Sequence, residues 1–157
     1  MHRTRHSVKI KHPKRIGGAP CLKELLPSTA AGHPVNIPNI EDLENNIHAG
    51  VKYLRWIWDT YFENENMDRL NKDFFSVASY NAGPAKVKRL RKEAKEMGLN
   101  PNIWFRNVEV VAAKRIGRET VQYVSNIYKY YVSYRLMTEK KRIKEDVKKQ
   151  KESQFTN

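Results

Sequence analysis

Cysteine is almost missing from this chain of 157 residues: Cys21 stands alone, so no internal disulfide can form, and its redox compartment is left open. Long apolar runs are missing as well, and none reaches the length of a membrane-spanning helix. The basic start lacks the apolar stretch of a secretion signal, so the sequence displays no export route. Neither zinc-ligand spacings nor base-reading motifs nor a basic leucine zipper occur, which removes specific nucleic-acid recognition from the expected partners. No run of useful length alternates apolar and polar residues, so the expected class is all-α.

What the chain has in excess is positive charge. Thirty Lys and Arg against seventeen Asp and Glu give a net charge of +13, a balance that favours ionic contact with an anionic polymer or membrane surface. The charge crowds the two ends. Arg3, Arg5, Lys9, Lys11, Lys14 and Arg15 precede the first acidic residue, Glu24, and Lys140, Lys141, Arg142, Lys144, Lys148, Lys149 and Lys151 fill the tail. Between them lies a more balanced stretch, with enough of the 39% hydrophobic residues for one core. The expected organisation is therefore a basic, poorly packed segment over 1–20, a folded domain over 21–137 and a charged helical tail over 138–157.

Within the domain, Leu22, Leu25 and Leu26 read as a short apolar turn broken by Pro27, with Ser28 and Thr29 available as caps. His33 to Ile40, with two prolines, reads as an extended connection. A helix is expected from about Asp42 to Tyr61, on a stripe of Leu43, Ile47, Val51, Leu54, Ile57 or Trp58, and Tyr61. Gly50 inside it costs about 1 kcal/mol relative to Ala, which points to close approach by another backbone. Helices are also expected over Asp68 to Tyr80 and over Pro84 to Met97. The latter carries an inner row of Val87, Leu90, Ala94 and Met97 and a solvated outer face of Lys86, Lys88, Arg89, Arg91, Lys92 and Lys95. Trp104, Val108, Val111 and Ala112 pattern a further helix that ends at Gly117, and a long last helix starts near Arg118 with Val124, Ile127, Tyr128, Tyr131 and Arg135 along one face.

The centre of interest is the corner Ser79-Tyr80-Asn81-Ala82-Gly83-Pro84, where an apolar helix stops. Gly83 suits a helix end and Pro84 the first turn of the next helix, so the corner is rigid. An aromatic face beside a carboxamide can hold a sugar, the ring covering the apolar face of a pyranose while the amide bonds hydroxyl or N-acetyl groups. The same two residues can equally be plain caps of a helix-turn-helix.

Four stretches, Leu25-Leu26-Pro27-Ser28-Thr29-Ala30, Asn45-Asn46-Ile47-His48-Ala49-Gly50-Val51-Lys52-Tyr53-Leu54, Ala78-Ser79-Tyr80-Asn81-Ala82-Gly83 and Glu119-Thr120-Val121-Gln122-Tyr123-Val124, stand in this order. Together they make the region from Leu25 to about Leu136 resemble the catalytic domain of soluble lytic transglycosylases, in the branch of membrane-bound lytic murein transglycosylase F. The resemblance implies a goose-type lysozyme-like helical fold, incomplete at its N-terminus, a groove for peptidoglycan glycan strands, no metal or cofactor, and a periplasmic or cell-envelope location. It implies sugar contacts for Tyr80 and Asn81, and a polar pair, Glu119 and Tyr123, beside the catalytic acid. Glu119 also suits a helix start through the macrodipole alone.

The chain departs from the family at the acid itself. Such enzymes use one carboxylic acid to protonate the glycosidic oxygen. As carboxylate it then takes the proton of the muramic C6 hydroxyl while that oxygen closes on C1, leaving a 1,6-anhydro sugar. Counting back by the family's spacing puts that residue on His6, and a histidine leaves a neutral ring where a carboxylate favours an oxocarbenium-like centre. Glu24, in the place of the usual glutamine, and Glu119 are the possible stand-ins. The expectation is a transglycosylase-type domain with impaired cleavage in a truncated or frame-altered chain. A non-catalytic peptidoglycan-binding module and a basic helical nucleic-acid binder stand as alternatives.

Overall fold

In the computed structural model of the chain, residues 25–154 are described, with side chains to residue 150. They form helices joined by short connections and, among the described residues, no strand. Pro27 opens the first helix, α1 (Pro27–Ala31), at a position where a missing N–H costs nothing. It therefore starts a helix instead of breaking one, and Ser28 and Thr29 lie inside it without capping anything. The following connection is a turn more than an extended strand. The N–H groups of Val35 and Asn36 both donate to Gly32 O at 2.9 Å, and Val35 is buried.

α2 (Leu43–Tyr61) is capped by Asp42, whose side chain accepts from Asn45 N, and α3 (Arg69–Ala82) by Asp68, which accepts from Asn71 N. The apolar stripe expected to bury α2 is misplaced. Leu43, Ile47 and Val51 are 74%, 48% and 60% exposed; of the stripe the helix buries Ile57, and beside it Ala49 and Gly50, which the stripe left out. Small residues win there because Ala49 packs against Leu25, Ala30 and Val35 and Gly50 lets the Tyr80 side chain of α3 lie close. α3 buries Phe74, Phe75, Ser76, Ala78 and Ser79 at the centre of the molecule.

Gly83, at φ 95°, closes α3 and lets α4 (Pro84–Glu96) leave in a new direction. α4 buries Val87, Leu90 and Ala94, while Met97, expected to join them, is exposed just beyond the helix end. Arg91 is no outer-face residue. Its Nε donates to Pro101 O at 2.9 Å, its Nη2 donates to Glu65 Oε2 at 2.8 Å and to Asn102 Oδ1 at 2.7 Å, and its guanidinium lies over the Phe75 ring.

Trp104, Val108, Val111 and Ala112 are all buried, as their spacing predicts, but one helix does not carry them. A kinked segment over Trp104–Val108, with Phe105 extended and Arg106 at φ 61°, precedes α5 (Glu109–Arg115). Polar bonds hold the kink: Trp104 N–H donates to Asn71 Oδ1, and Arg106 N–H donates to Glu109 Oε2, both at 2.9 Å. Gly117, at φ 83°, turns the chain into α6 (Arg118–Gln154). α6 buries Thr120 and Val124 and packs Tyr128 against Phe74 and Phe105. Ile127 and Tyr131, read as inward, are partly exposed, and every described side chain from 133 to 150 is exposed.

Candidate functional site

The last turn of α3 meets the first turns of α6 and the middle of α2. Three of the residues singled out in the sequence come together there. Tyr80 is half-buried and packs on both apolar clusters of the molecule. Its hydroxyl crosses α2 at Gly50, where a Cβ would sit 3.2 Å from the phenol oxygen. The neighbour that Gly50 admits is thus a side chain and not the backbone expected. Next along α3, Asn81 does not cap the corner: its Oδ1 accepts a hydrogen bond from Thr120 Oγ1 at 2.8 Å, across to α6. Its Nδ2 is shielded from solvent and has no hydrogen-bond partner among the described residues.

Tyr123, one turn beyond Thr120, is half-buried, and burial pushes its phenol up from the ordinary value. The Tyr80 phenol is pushed up to about 12, first by burial and then by the neighbouring Tyr123 and Tyr53 phenols. The site therefore presents neutral hydroxyls over the whole working range of a protein, each able to donate and accept. Glu119 occupies the first turn of α6, where a carboxylate complements the helix dipole, and it is exposed. His6 and Glu24 lie outside the described residues.

Tyr53 and Thr120 are the residues that the sequence left unassigned. Tyr53 stands 5.7 Å, centre to centre, from Tyr80. Its place three residues after Gly50, on the same helical face, was the available signal. Thr120 carried none, since a hydroxyl in a helix's first turn is commonplace.

Two hollows lie elsewhere, one of about 380 Å³ between α5 and α6, lined by Glu109, Lys114 and Gln122, and one of about 580 Å³ between the start of α3 and the middle of α6, lined by Arg69, Tyr128 and Arg135. Neither is lined by Tyr80, Asn81 or Tyr123.

Residues 20–103, which span α1 to α4 and the corner with Tyr80 and Asn81, match the family described as the transglycosylase SLT domain. The chain belongs to that family. The all-α architecture agrees with the lysozyme-like fold expected of an SLT domain. Among curated proteins, the SLT domain is 37% identical over 114 residues to a membrane-bound lytic murein transglycosylase F of Shewanella woodyi, covering 62% of this chain and 22% of the relative. It is 36% identical over 110 residues to the protein of the same name from Shewanella loihica, covering 62% and 23%. With that of Desulfosudis oleivorans it shares 35% over 103 residues, covering 57% and 22%. The chain thus spans a little over a fifth of the length of these relatives.

Proposed function

We propose that this SLT domain is of the peptidoglycan lytic transglycosylase type. In this reading it holds glycan strands of alternating N-acetylglucosamine and N-acetylmuramic acid against Tyr80, Asn81 and Tyr123, in the cell envelope. The observation that carries the proposal is the convergence of two half-buried phenols and a carboxamide from α3 and α6, in a chain whose relatives are named as murein transglycosylases. A sugar ring needs an apolar face for its C–H groups and neutral donors and acceptors for its hydroxyls, and this cluster offers both.

Cleavage is a separate matter from binding. Expelling the glycosidic oxygen needs a proton from a carboxylic acid, and the resulting carboxylate must accept the C6 hydroxyl proton as that oxygen bonds to C1. With the family's acid position falling on His6, and Glu119 exposed on the rim, the domain is expected to bind strands better than it cuts them. Ionic attraction between the basic chain and anionic wall polymer adds to binding without giving it selectivity.

The test uses purified sacculi. The protein should pellet with them at moderate salt, and Tyr80→Ala and Asn81→Ala should weaken pelleting while release of anhydro-muropeptides stays low. Release well above buffer would overturn the impairment. Pelleting that salt abolishes and the two variants leave untouched would overturn the glycan site.

A further inference from the structure

The aromatic surface does not end at Tyr80. Along α2, Gly50, Tyr53 and Trp56 follow one another at a spacing of three, and the ring of Tyr61, at the helix end, reaches back to Trp56. Their rings follow one another in steps of 5.7 Å: Tyr80 to Tyr53, Tyr53 to Trp56, and Trp56 to Tyr61. From Gly50 to Tyr61 the helix rises about 16 Å, which is longer than a single sugar ring. Tyr53 and Trp56 are half-buried and Tyr61 is 40% exposed, so the row comes to the surface as it leaves the corner.

The row is neutral. Two cations flank it in sequence, Lys52 beside Tyr53 and Arg55 beside Trp56; both are exposed, and Arg55 turns away to pair with Asp59 at 2.8 Å and lies over the Trp58 ring. The phenol of Tyr53 feels that of Tyr61, as Tyr80 feels Tyr53 and Tyr123. Four hydroxyls and an indole therefore form one continuous band from α6 across the end of α3 and down α2. Phosphate or another anion would find no counter-charge in such a band, whereas a polyhydroxylated, uncharged chain finds rigid ring surface and hydroxyls that donate and accept.

We infer that the glycan surface of this domain extends from Tyr80 along α2, over Tyr53 and Trp56 to Tyr61, and takes further pyranose rings of an extended β-1,4-linked N-acetylated oligosaccharide. This rests on the glycan-binding reading of Tyr80, Asn81 and Tyr123 and adds the direction of the strand. Rings at the far end serve long ligands only, so their loss acts on chain-length dependence and not on recognition at the corner.

The experiment is calorimetric titration of the full chain with N-acetylglucosamine oligomers from dimer to hexamer. Affinity is expected to rise with length, and Tyr61→Ala and Trp56→Phe, each folded by circular dichroism, should lose that rise, with hexamer affinity falling about tenfold for Tyr61→Ala and dimer affinity unchanged. Length-dependent binding that both variants retain, or a loss equal for dimer and hexamer, would overturn the extension alone. Failure of the unmodified chain to bind any oligomer would overturn the extension together with the reading beneath it.

Discussion

The Thr120 hydroxyl donates to Asn81 Oδ1 over 2.8 Å, joining the first turn of the longest helix to the last turn of the central one. Thr120 is buried and Asn81 partly so, so the bond is made at the edge of the core, where little water competes for it. It sets how α6 leaves the corner and, one turn on, where Tyr123 meets Tyr80.

Thr120→Val keeps the shape of the side chain and removes the donor, leaving Asn81 Oδ1 without its partner from α6. Urea unfolding should show a loss of about 1–2 kcal/mol, with Thr120→Ser, which restores the hydroxyl, recovering much of it. Equal loss in both variants would mean that packing of the methyl, and not the bond, holds the junction.

Gly50 sets two effects against each other. An alanine there gains about 1 kcal/mol of helix propensity, but its Cβ would meet the Tyr80 hydroxyl at 3.2 Å. The phenol is half-buried between two apolar clusters, so it yields only by tilting the ring on which the proposed glycan site rests. Gly50→Ala is expected to be close to neutral in stability and to weaken glycan binding. In a Tyr80→Phe background, where the oxygen is gone, the same change should stabilise by up to about 1 kcal/mol. A double-mutant cycle without coupling would remove the contact from the account.

Why the sequence revealed some of this and hid the rest is physical. Helix starts were legible because Asp42 and Asp68 cap through their own side chains, and helix ends because Gly83, Gly98 and Gly117 adopt positive φ. Core rows were legible where bulky residues bury, as at Phe74, Val87, Leu90 and Trp104. On α2 periodicity misled, because it weighs Leu43 and Val51 above Ala49 and Gly50, whereas close packing is governed by what fits. Arg91 was read as solvated because partners distant in sequence, Glu65, Pro101 and Asn102, leave no mark in a helical pattern. At the candidate site, Tyr80 and Asn81 were singled out by the chemistry of the corner and by motif resemblance, Tyr123 by resemblance alone, and the fold brings the three side by side. Tyr53 and Thr120 were missed because their roles come from crossings between helices.

Arg91 ties α4 to two loops, and its side chain is only 14% exposed. Arg91→Ala should cost about 3 kcal/mol, and Arg91→Lys should recover less than half, because an ammonium cannot reproduce the forked contacts. The hydrogen bond from Arg91 also holds the Glu65 carboxyl below its ordinary value. A depressed carboxylate adds stability above its unfolded-state value, and that stability is lost as pH falls through the folded one. The unmodified protein should therefore lose stability on acidification below about pH 4.5 more steeply than Arg91→Gln does, a difference that denaturant midpoints at pH 3 to 6 would reveal.

Alkaline behaviour follows from the phenols. The ordinary tyrosine value is 10.0, and Tyr80 is pushed up to about 12, with Tyr53 and Tyr123 raised as well. Above pH 10 the unfolded chain sheds phenolic protons that the folded chain keeps, so stability is full below that point and falls as pH rises through the folded values. Ultraviolet titration should show tyrosines that ionise late, together with the onset of unfolding. Tyr80→Phe should remove the latest of them, and glycan binding should stay level from pH 7 to 9.

The outer half of α6 is the remaining test of which parts serve the fold. Thr120, Val121, Val124 and Tyr128 join α6 to the core, whereas the described side chains after Val132 are exposed and the ion pairs there, such as Arg142 with Glu139, lie within the helix itself. Exposed pairs of this kind contribute about 0.3–0.5 kcal/mol each and fade with salt. A chain ending at Thr138 should unfold at nearly the same urea midpoint, within about 0.5 kcal/mol, while losing part of its helical dichroism. Because the removed stretch is rich in Lys and Arg, retention on an anionic matrix should weaken and become less sensitive to salt. If binding to neutral N-acetylglucosamine oligomers survives the truncation unchanged, the charged tail and the aromatic corner act on different features of the wall. If it falls in parallel, the corner is not an independent site.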